Sequence, residues 1–397
     1  MPWKISSLTG QRLRFVMAAV KRLHPLPQLC RQFHISRKTA YKWLARFYRG
    51  GFGALRDRSR RPHRSPRRLA PRWVKAISQW RRRHRRWGGK KIWAALRRQH
   101  PRTALPSIST ITRWIRRLGL TQRRRSARPG PRLPYIGLTT PQAANAVWTV
   151  DFKGWFRTLD SRRVEPLTVR DLFSRYVLVI WLLPNQSEAS VRTVFVRLFR
   201  QHGLPRVMRV DNGAPFGGKG PLGLSRLTVW WLGLGIRVEF TRPARPGDNA
   251  GHEQMHGVLK AETTQPAAAN PSAQQRRTTR WVRYYNQERP HEALGQKPPV
   301  DFYRKSRRRY PQRLLAWKYP QTYLLRQVRS RGSIKWQGRL RFIGRAFVGQ
   351  TIGLKLSQPG IYAVYFRSHL IGEMHGADPG GLRPARYRLA KDSSQKV

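Results

Sequence analysis

Acidic residues are scarce in this chain. Only 17 of its 397 residues are Asp or Glu, against 82 Lys and Arg, and the formal net charge is +65. A charge of that size repels itself unless a polyanion neutralises it. Nucleic acid is the natural candidate, because every phosphate contacted releases counterions and strengthens binding. An Arg-rich codon usage would explain Arg in place of Lys, but not the shortage of acids. Cysteine is nearly absent as well. Cys30 stands alone, which excludes an internal disulfide framework and a cysteine-based zinc site, and fits a reducing cytoplasm. Long apolar runs are missing too. The longest, Val177–Leu183, is far too short to cross a bilayer and reads as a buried strand. The first residues, MPWKISSLTGQRLRF, lack the apolar core of a signal peptide. The expectation is a cytoplasmic, nucleoid-associated protein with DNA as its partner and no membrane.

What is present divides the chain into several parts, a multidomain organisation. Residues 1–50 read as helices. In LPQLCRQFHISRKTAYKWLARF (26–47), a first helix carries Leu29, Cys30 and Phe33. A turn at His34–Ile35 follows, and Ser36 can cap a second helix, on which Ala40, Trp43, Leu44 and Phe47 recur at helical spacing. Arg37, Lys38, Thr39, Tyr41 and Lys42 then face outward near its start, as in a helix-turn-helix that offers its second helix to a major groove. A plain helical hairpin is the alternative, and the basic outer face argues against it. Residues 51–70 are a basic linker able to follow a groove, with Arg58, Arg60, Arg61, His63 and Arg64 as its DNA contacts. Residues 71–120 read as a second helical unit, winged-helix-like, patterned by Trp73, Ile77 and Trp80, by Ile92, Trp93 and Leu96, and by Ile111, Trp114, Ile115 and Leu118 behind a cap at Ser109. A linker over 121–145 leads to a central domain at 146–305. There VWTVDF, EPLTVRDLF, RYVLVIWLL, RVMRVD and IRVEF read as strands, with helices after the third, fourth and fifth, an α/β mixed sheet. A basic connector (306–330), a small all-β barrel (331–376) and a disordered tail (377–397) complete the chain.

Within the central domain, Asp151 and Asp211 each close a predicted strand, the place where ligands gather in an open α/β sheet. If those strands are neighbours, the carboxylates converge and need a proton or a metal between them. Mg2+ prefers such oxygens together with substrate phosphates. In GHEQMHGVLKAE, helical spacing puts Glu253, His256, Gly257 and Lys260 on one face and Met255, Val258 and Leu259 on the other. Glu253 would complete a metal site, Lys260 would contact phosphate, and Gly257 would leave room for a backbone. A single strand-end Asp is more often a cap than a catalyst, so the triad stays open at this point. His252 and His256 are either metal ligands or solvent-facing phosphate contacts, the latter preferred. Asp171 is a rival ligand read as a structural partner for Ser174 or Arg175, and Asp248 as the cap of the last helix.

WTVDFKG (148–154), VDNGAPF (210–216), GHEQMHGVLK (251–260) and YNQERPHEAL (285–294), in that order, resemble the integrase-type catalytic core of bacterial insertion-sequence transposases. DRSRRPHRSP (57–66) resembles the linker after the helix-turn-helix in one branch of them. Two departures are visible: PGDNAGHE stands where relatives more often have a Gln-Asn-Gly run, and GGKGPLG (217–223) lengthens the second-to-third spacing. The resemblance implies an RNase H-like core and a DDE polynucleotidyl transferase that cleaves at terminal inverted repeats and joins the freed end to target DNA. It also implies Asp151, Asp211 and Glu253 as catalytic residues and ligands of two Mg2+ or Mn2+ ions, and a homo-oligomer on DNA. The alternative is a non-catalytic DNA-binding repressor or an inactive relic of such an enzyme.

Overall fold

The computed structural model describes residues 7–58, 69–121, 137–242, 249–314, 316–376 and 380–385. The chain divides into two compact units, Met1–Ala70 and Pro71–Val397.

The first unit holds α1 (Leu8–Val20), α2 (Leu26–Gln32) and α3 (Arg37–Gly50) around Phe15, Val16, Leu29, Cys30, Ala40 and Trp43. The expected cap is in place, with Ser36 Oγ accepting from the Thr39 amide at 3.2 Å. His34 turns the chain between α2 and α3 with a positive φ of 52°. The first unit extends beyond residue 50. A 3-10 turn at Phe52–Leu55 buries Leu55 in the helical core, and Arg12 ties it down through the Leu55 carbonyl and Asp57. The start of the expected linker is therefore part of this fold.

In the second unit, α4 (Pro71–Arg83), α5 (Gly89–Gln99) and α6 (Ile108–Arg117) bury Trp73, Ile77, Trp87, Ile92, Leu96, Ile111 and Ile115. The helical face was legible, with two corrections. Ser107, not Ser109, caps α6, because its Oγ accepts from the Thr110 amide. No strand forms over 71–121, so the unit is three helices without a wing. It is docked on the domain that follows: His84 stacks on Tyr284 with ring centroids 4.8 Å apart, and Lys90 pairs with Glu292 at 2.7 Å.

The central sheet contains β1 (Val147–Phe152), β2 (Phe156–Arg157), β3 (Arg163–Asp171) and β4 (Val177–Leu183), then α7 (Glu188–His202), β5 (Val207–Val210), α8 (Arg226–Gly233), β6 (Arg237–Phe240), α9 (Ala250–Thr263) and α10 (Pro271–Gln287). Its order is β2-β3-β1-β5-β6, with β4 also on β3. β1 is antiparallel to β3 and parallel to β5, and β5 is parallel to β6. Strands flanked by helices on both faces read as nearly continuous apolar runs, which VLVIWLL does. On one side Trp148, Phe195, Phe199 and Trp231 pack with α7 and α8. On the other, Met255 and Leu259 of α9 and Trp281 and Tyr285 of α10 cover Val177 and Ile180.

The C-terminal region contains β7 (Leu324–Gln327), β8 (Ser333–Trp336), β9 (Arg339–Phe342), β10 (Thr351–Gln358), β11 (Ile361–Phe366), β12 (His369–His375) and β13 (Arg383–Pro384). It is all-β but not a barrel. The sheet is open, in the order β13-β12-β11-β10-β7, with β8–β9 a separate hairpin. Closure requires the two edges to pair, and β13 is poorly suited to it: it is two residues long and one is Pro384, which has no amide to donate. The expected connector is not free either. Arg308 donates to the carbonyls of Pro205 and Gly235, and the Leu204 amide to Arg308. Apolar residues of the C-terminal sheet, including Ile352, Val364 and Met374, continue the core of the central domain.

Between β5 and β6, Arg209 and Glu239 face each other in register and pair at 3.1 Å, 2% and 7% exposed. Arg209 also donates to the Thr139 carbonyl. Breaking such a pair from one side leaves a buried charge uncompensated. Glu239→Ala is expected to cost about 3–5 kcal/mol in denaturant unfolding; a loss below about 1 kcal/mol would show that the pair does not hold this edge of the sheet.

Candidate active site

The register of the parallel pair decides the site. Val147, Trp148 and Thr149 of β1 lie opposite Val207, Met208 and Arg209 of β5. Continued two residues, it brings Asp151 and Asp211 to the same edge. The pairing joins parts of the chain between which β2, β3, β4 and α7 intervene. Burial, then the Asp211 charge, and more weakly Glu253, push the Asp151 carboxyl up to about 7, against the opposing Phe152 amide. Asp211 is also raised, first by burial, with the Gly213 amide opposing. Gly213 lets the loop fold back over that carboxylate: a Cβ there would lie 3.1 Å from Asp211 Oδ2. Glu253 is exposed on α9, near enough for its charge to reach Asp151. Even in a chain this basic, the three acids form a local concentration of negative charge.

The helix that presents Glu253 is fastened from below. Met255 and Leu259 are buried, and Val258 partly so, as the helical spacing implied. At its start Arg170 of β3, 2% exposed, donates to the Gly251 carbonyl. A Cβ at Gly251 would lie 2.9–3.1 Å from the Arg175 and Arg170 guanidinium nitrogens, so a larger residue there would displace these side chains.

Several site residues were not visible in sequence. Asn249 Nδ2 donates to Asp151 Oδ2 at 3.1 Å, and its Oδ1 is held 3.1 Å from His252 Nδ1. His252 is buried at 1% exposure, which excludes the solvent-facing role expected of it. His256 is also turned inward. Its Nε2 is 2.9 Å from Thr168 Oγ1, which donates to the Asp151 carbonyl, and its Nδ1 is 4.0 Å from Asp151 Oδ2. Burial, with Lys153 and Arg170 nearby, lowers its pKa to about 4. Lys153 is half-buried beside Lys260, and burial and that neighbour lower it. Two cations therefore flank the acids, where sequence suggested Lys260 alone. Lys153 stands two places after Asp151 in WTVDFKG, and that proximity was the available signal.

Asp171 takes the structural role expected of it. Its carboxylate accepts from the Ser174 amide and hydroxyl and from the Asn145 amide, fully buried. YNQERPHEAL is structural too: Asn286 exchanges hydrogen bonds with the Val177 backbone, and Arg289 pairs with Glu262 at 3.1 Å. On α3, Arg37, Lys38, Tyr41 and Lys42 are exposed, while Thr39 is partly covered and bonded to Ser36. Arg58 is exposed; Arg60, Arg61, His63, Arg64 and Asp248 lie outside the described residues.

With this geometry, matches to known domain families fall into place. Residues 141–246 and 234–299 match integrase core domains, 11–63 a helix-turn-helix domain and 39–115 a homeodomain-like domain. Residues 324–375 match the C-terminal domain of the IS481 family transposases. The chain is similar to the insertion-sequence transposases with an integrase-type core. It is 29% identical over 224 residues to the insertion element IS407 uncharacterized 31.7 kDa protein of Burkholderia multivorans, covering 56% of this chain and 77% of that one. It is 32% identical over 227 residues to the insertion element IS476 uncharacterized 39.2 kDa protein of Xanthomonas euvesicatoria, covering 55% of this chain and 61% of that one. Among solved structures, the HTLV-2 integrase catalytic core domain in complex with magnesium matches 42% of this chain and 100% of its own length, at 14% identity and a TM-score of 0.34. Among the described residues no helix is long and apolar enough to cross a membrane.

A carboxyl raised to about 7 has a definite consequence for stability. Asp151 contributes fully below its unfolded value near 3.8, and the contribution is lost as pH rises through about 7. In metal-free protein, Asp151→Asn is expected to raise Tm at pH 8 and to leave it nearly unchanged at pH 3. An equal shift at both pH values would show that the Asp151 carboxyl is not raised in the folded protein.

Proposed function

We propose that the chain binds the terminal inverted repeats of its own element and catalyses metal-dependent strand cleavage and strand transfer. The observation that carries this reading is the parallel pairing of β1 and β5, which sets Asp151 beside Asp211 and makes their mutual charge costly. Integrase-type cores use divalent ions. The donors fit a hard cation, being carboxylate oxygens that repel one another in the absence of one. Asp151, Asp211 and Glu253 would hold Mg2+ or Mn2+, as two ions. Among the described residues, no group of three or more His, Cys, Asp or Glu is found that could hold an ion. When bound, the metal supplies Lewis-acid stabilisation of phosphoryl oxygens and activation of the attacking oxygen.

The chain's own groups do the rest. Lys153 and Lys260 would hold the phosphate. Asn249 orients Asp151, and Thr168 with His256 walls its other side. The attacking oxygen, from water in cleavage and from the 3′-hydroxyl in transfer, bonds to phosphorus as the opposite P–O bond breaks. Arg37, Lys38, Thr39, Tyr41 and Lys42 would read DNA in the major groove, with Arg58, Arg60, Arg61, His63 and Arg64 following the backbone. His256, turned inward, is better placed to shape the acid cluster than to meet phosphate as first expected. The C-terminal sheet would add a nonspecific DNA surface. Acting on two element ends at once requires a second copy on the DNA.

Asp211→Asn is expected to abolish cleavage and strand transfer on an end duplex with Mg2+ while leaving end binding intact. Unchanged strand transfer would remove the catalytic assignment and leave a DNA-binding protein. A second measurement reads the ion itself: Mg2+ is expected to raise the Tm of the wild-type protein and not that of Asp211→Asn. Equal shifts in both would show that the ion binds elsewhere.

A further inference from the structure

The end of α4 and the turn into α5, together called the α4–α5 turn, are dense in arginine: Arg81, Arg82, Arg83, Arg85 and Arg86 fall within six positions. They do not serve a single purpose. Arg81 is 9% exposed and spends its guanidinium on the carbonyls of Trp87 and Leu120, closing the helical unit. Arg83 reaches Glu288 at 3.5 Å across two exposed side chains. Arg82 and Arg85 make no ion pair among the described residues.

This turn does not stand alone in solvent. With α9 and α10 it encloses a groove of about 600 Å³, lined by Arg82, Arg83, Arg85 and Arg86 on one wall and by Glu262 and Tyr284 on the other. Glu262 does not offset the arginines opposite, because Arg289 and the Trp281 indole already engage it at 3.1 and 2.7 Å. The wall is held rigidly in place. His84, between the arginines, stacks on Trp87 at 4.2 Å and on Tyr284 at 4.8 Å, nearly parallel. Burial, then Arg83 and Arg289, lower its pKa to about 4, so it stays neutral in a cationic surrounding.

The groove borders α9, the helix that carries Glu253. Arg86 donates to the Gly257 carbonyl at 3.3 Å, and Gly257 lies one turn beyond Glu253 on the same face of α9, with Lys260 next. From Glu253 to Ala261 is about 12 Å of helix axis at 1.5 Å per residue. That is on the order of three phosphates at the 3.4 Å rise of one DNA strand. Arginine forks suit phosphate oxygens geometrically as well as electrostatically.

From this we infer that the α4–α5 turn and α9 form one backbone track, with Arg82, Arg85 and Arg86 holding the phosphates of the DNA strand that leaves the acid cluster. The inference rests on the reading of the chain as a DNA-processing enzyme and assigns its second helical unit a specific place. The three-helix unit fixes the DNA against the core, and its docking through His84 and Tyr284 sets the distance between the track and the reacting phosphate.

The test uses the full chain carrying Asp211→Asn, so that no chemistry intervenes, and a duplex with a recessed 3′ end as the probe. Arg82→Ala with Arg85→Ala is compared with Arg200→Ala with Arg206→Ala, two exposed arginines outside the groove that remove the same charge. The groove pair is expected to lower the slope of log K against log salt by about 2 and to weaken binding on the order of tenfold near 0.15 M salt. The control pair should move neither appreciably, and all variants should keep the parent Tm. Equal losses in both pairs would overturn the track and leave the DNA-processing reading intact. A parent chain whose duplex affinity is insensitive to salt would overturn both.

Discussion

The structure depends on one strand pairing. β1 and β5 lie side by side and parallel in the middle of the central sheet, with β3 on one flank and β6 on the other. That arrangement sets two carboxylates at one edge in a region partly withdrawn from water, where burial, and after it the Asp211 charge, raise Asp151 to about 7. The unfavourable charge is tolerated because the strands beneath are committed by buried apolar side chains: Trp148, Val150, Met208 and Val210 are all at or below 1% exposure. Burial on that scale, about 25 cal/mol per Å2 of apolar surface, greatly outweighs a repulsion of a few kcal/mol. The site is a local sacrifice of stability supported by a core that can absorb it.

α9 connects that core to chemistry. Its inner face is apolar and fixed under α10, while Glu253 and Lys260 project outward. Its first turn is drawn onto β3 by Arg170 and onto Asp151 by Asn249. The buried polar residues here are mutual constraints: His252 holds Asn249, Asn249 holds Asp151, and Thr168 bridges the Asp151 carbonyl and His256. A carboxylate held at several points keeps its orientation, and orientation matters in a site that must position phosphate and metal together. The second helical unit joins the same assembly through aromatic stacking, and its basic turn borders the face of α9 that carries Glu253.

Much of this was legible in the sequence because it follows from periodicity. The strands ending near Asp151 and Asp211, the amphipathic α9, the Ser36 cap and the structural use of Asp171 all follow from local spacing and hydrogen-bonding chemistry. What misled was context beyond the segment. Alternating short runs in residues 332–373 indicate strands but not whether their sheet closes, which depends on its edges. Helical spacing over 71–120 suggests a small DNA-binding unit but not the absence of a wing. His252 and His256 read as solvent-facing residues of α9, whereas packing under β3 and Arg170 buries the first and half-buries the second. Ser107 and Ser109 are equivalent caps by composition, and the first turn of α6 selects between them.

The sequence alone determined the inventory: a chain with few acids, a large positive charge, helices with basic outer faces and two strand-end aspartates in an ordered set of motifs. These are properties of single segments and of total charge, and both can be read without coordinates. Only the tertiary structure decided adjacency. That β1 pairs with β5, that Asn249 reaches Asp151, that Lys153 stands beside Lys260 and that the arginines of the α4–α5 turn face α9 are contacts between distant segments. Each is set by how buried surfaces fit together, and local spacing does not encode that fit.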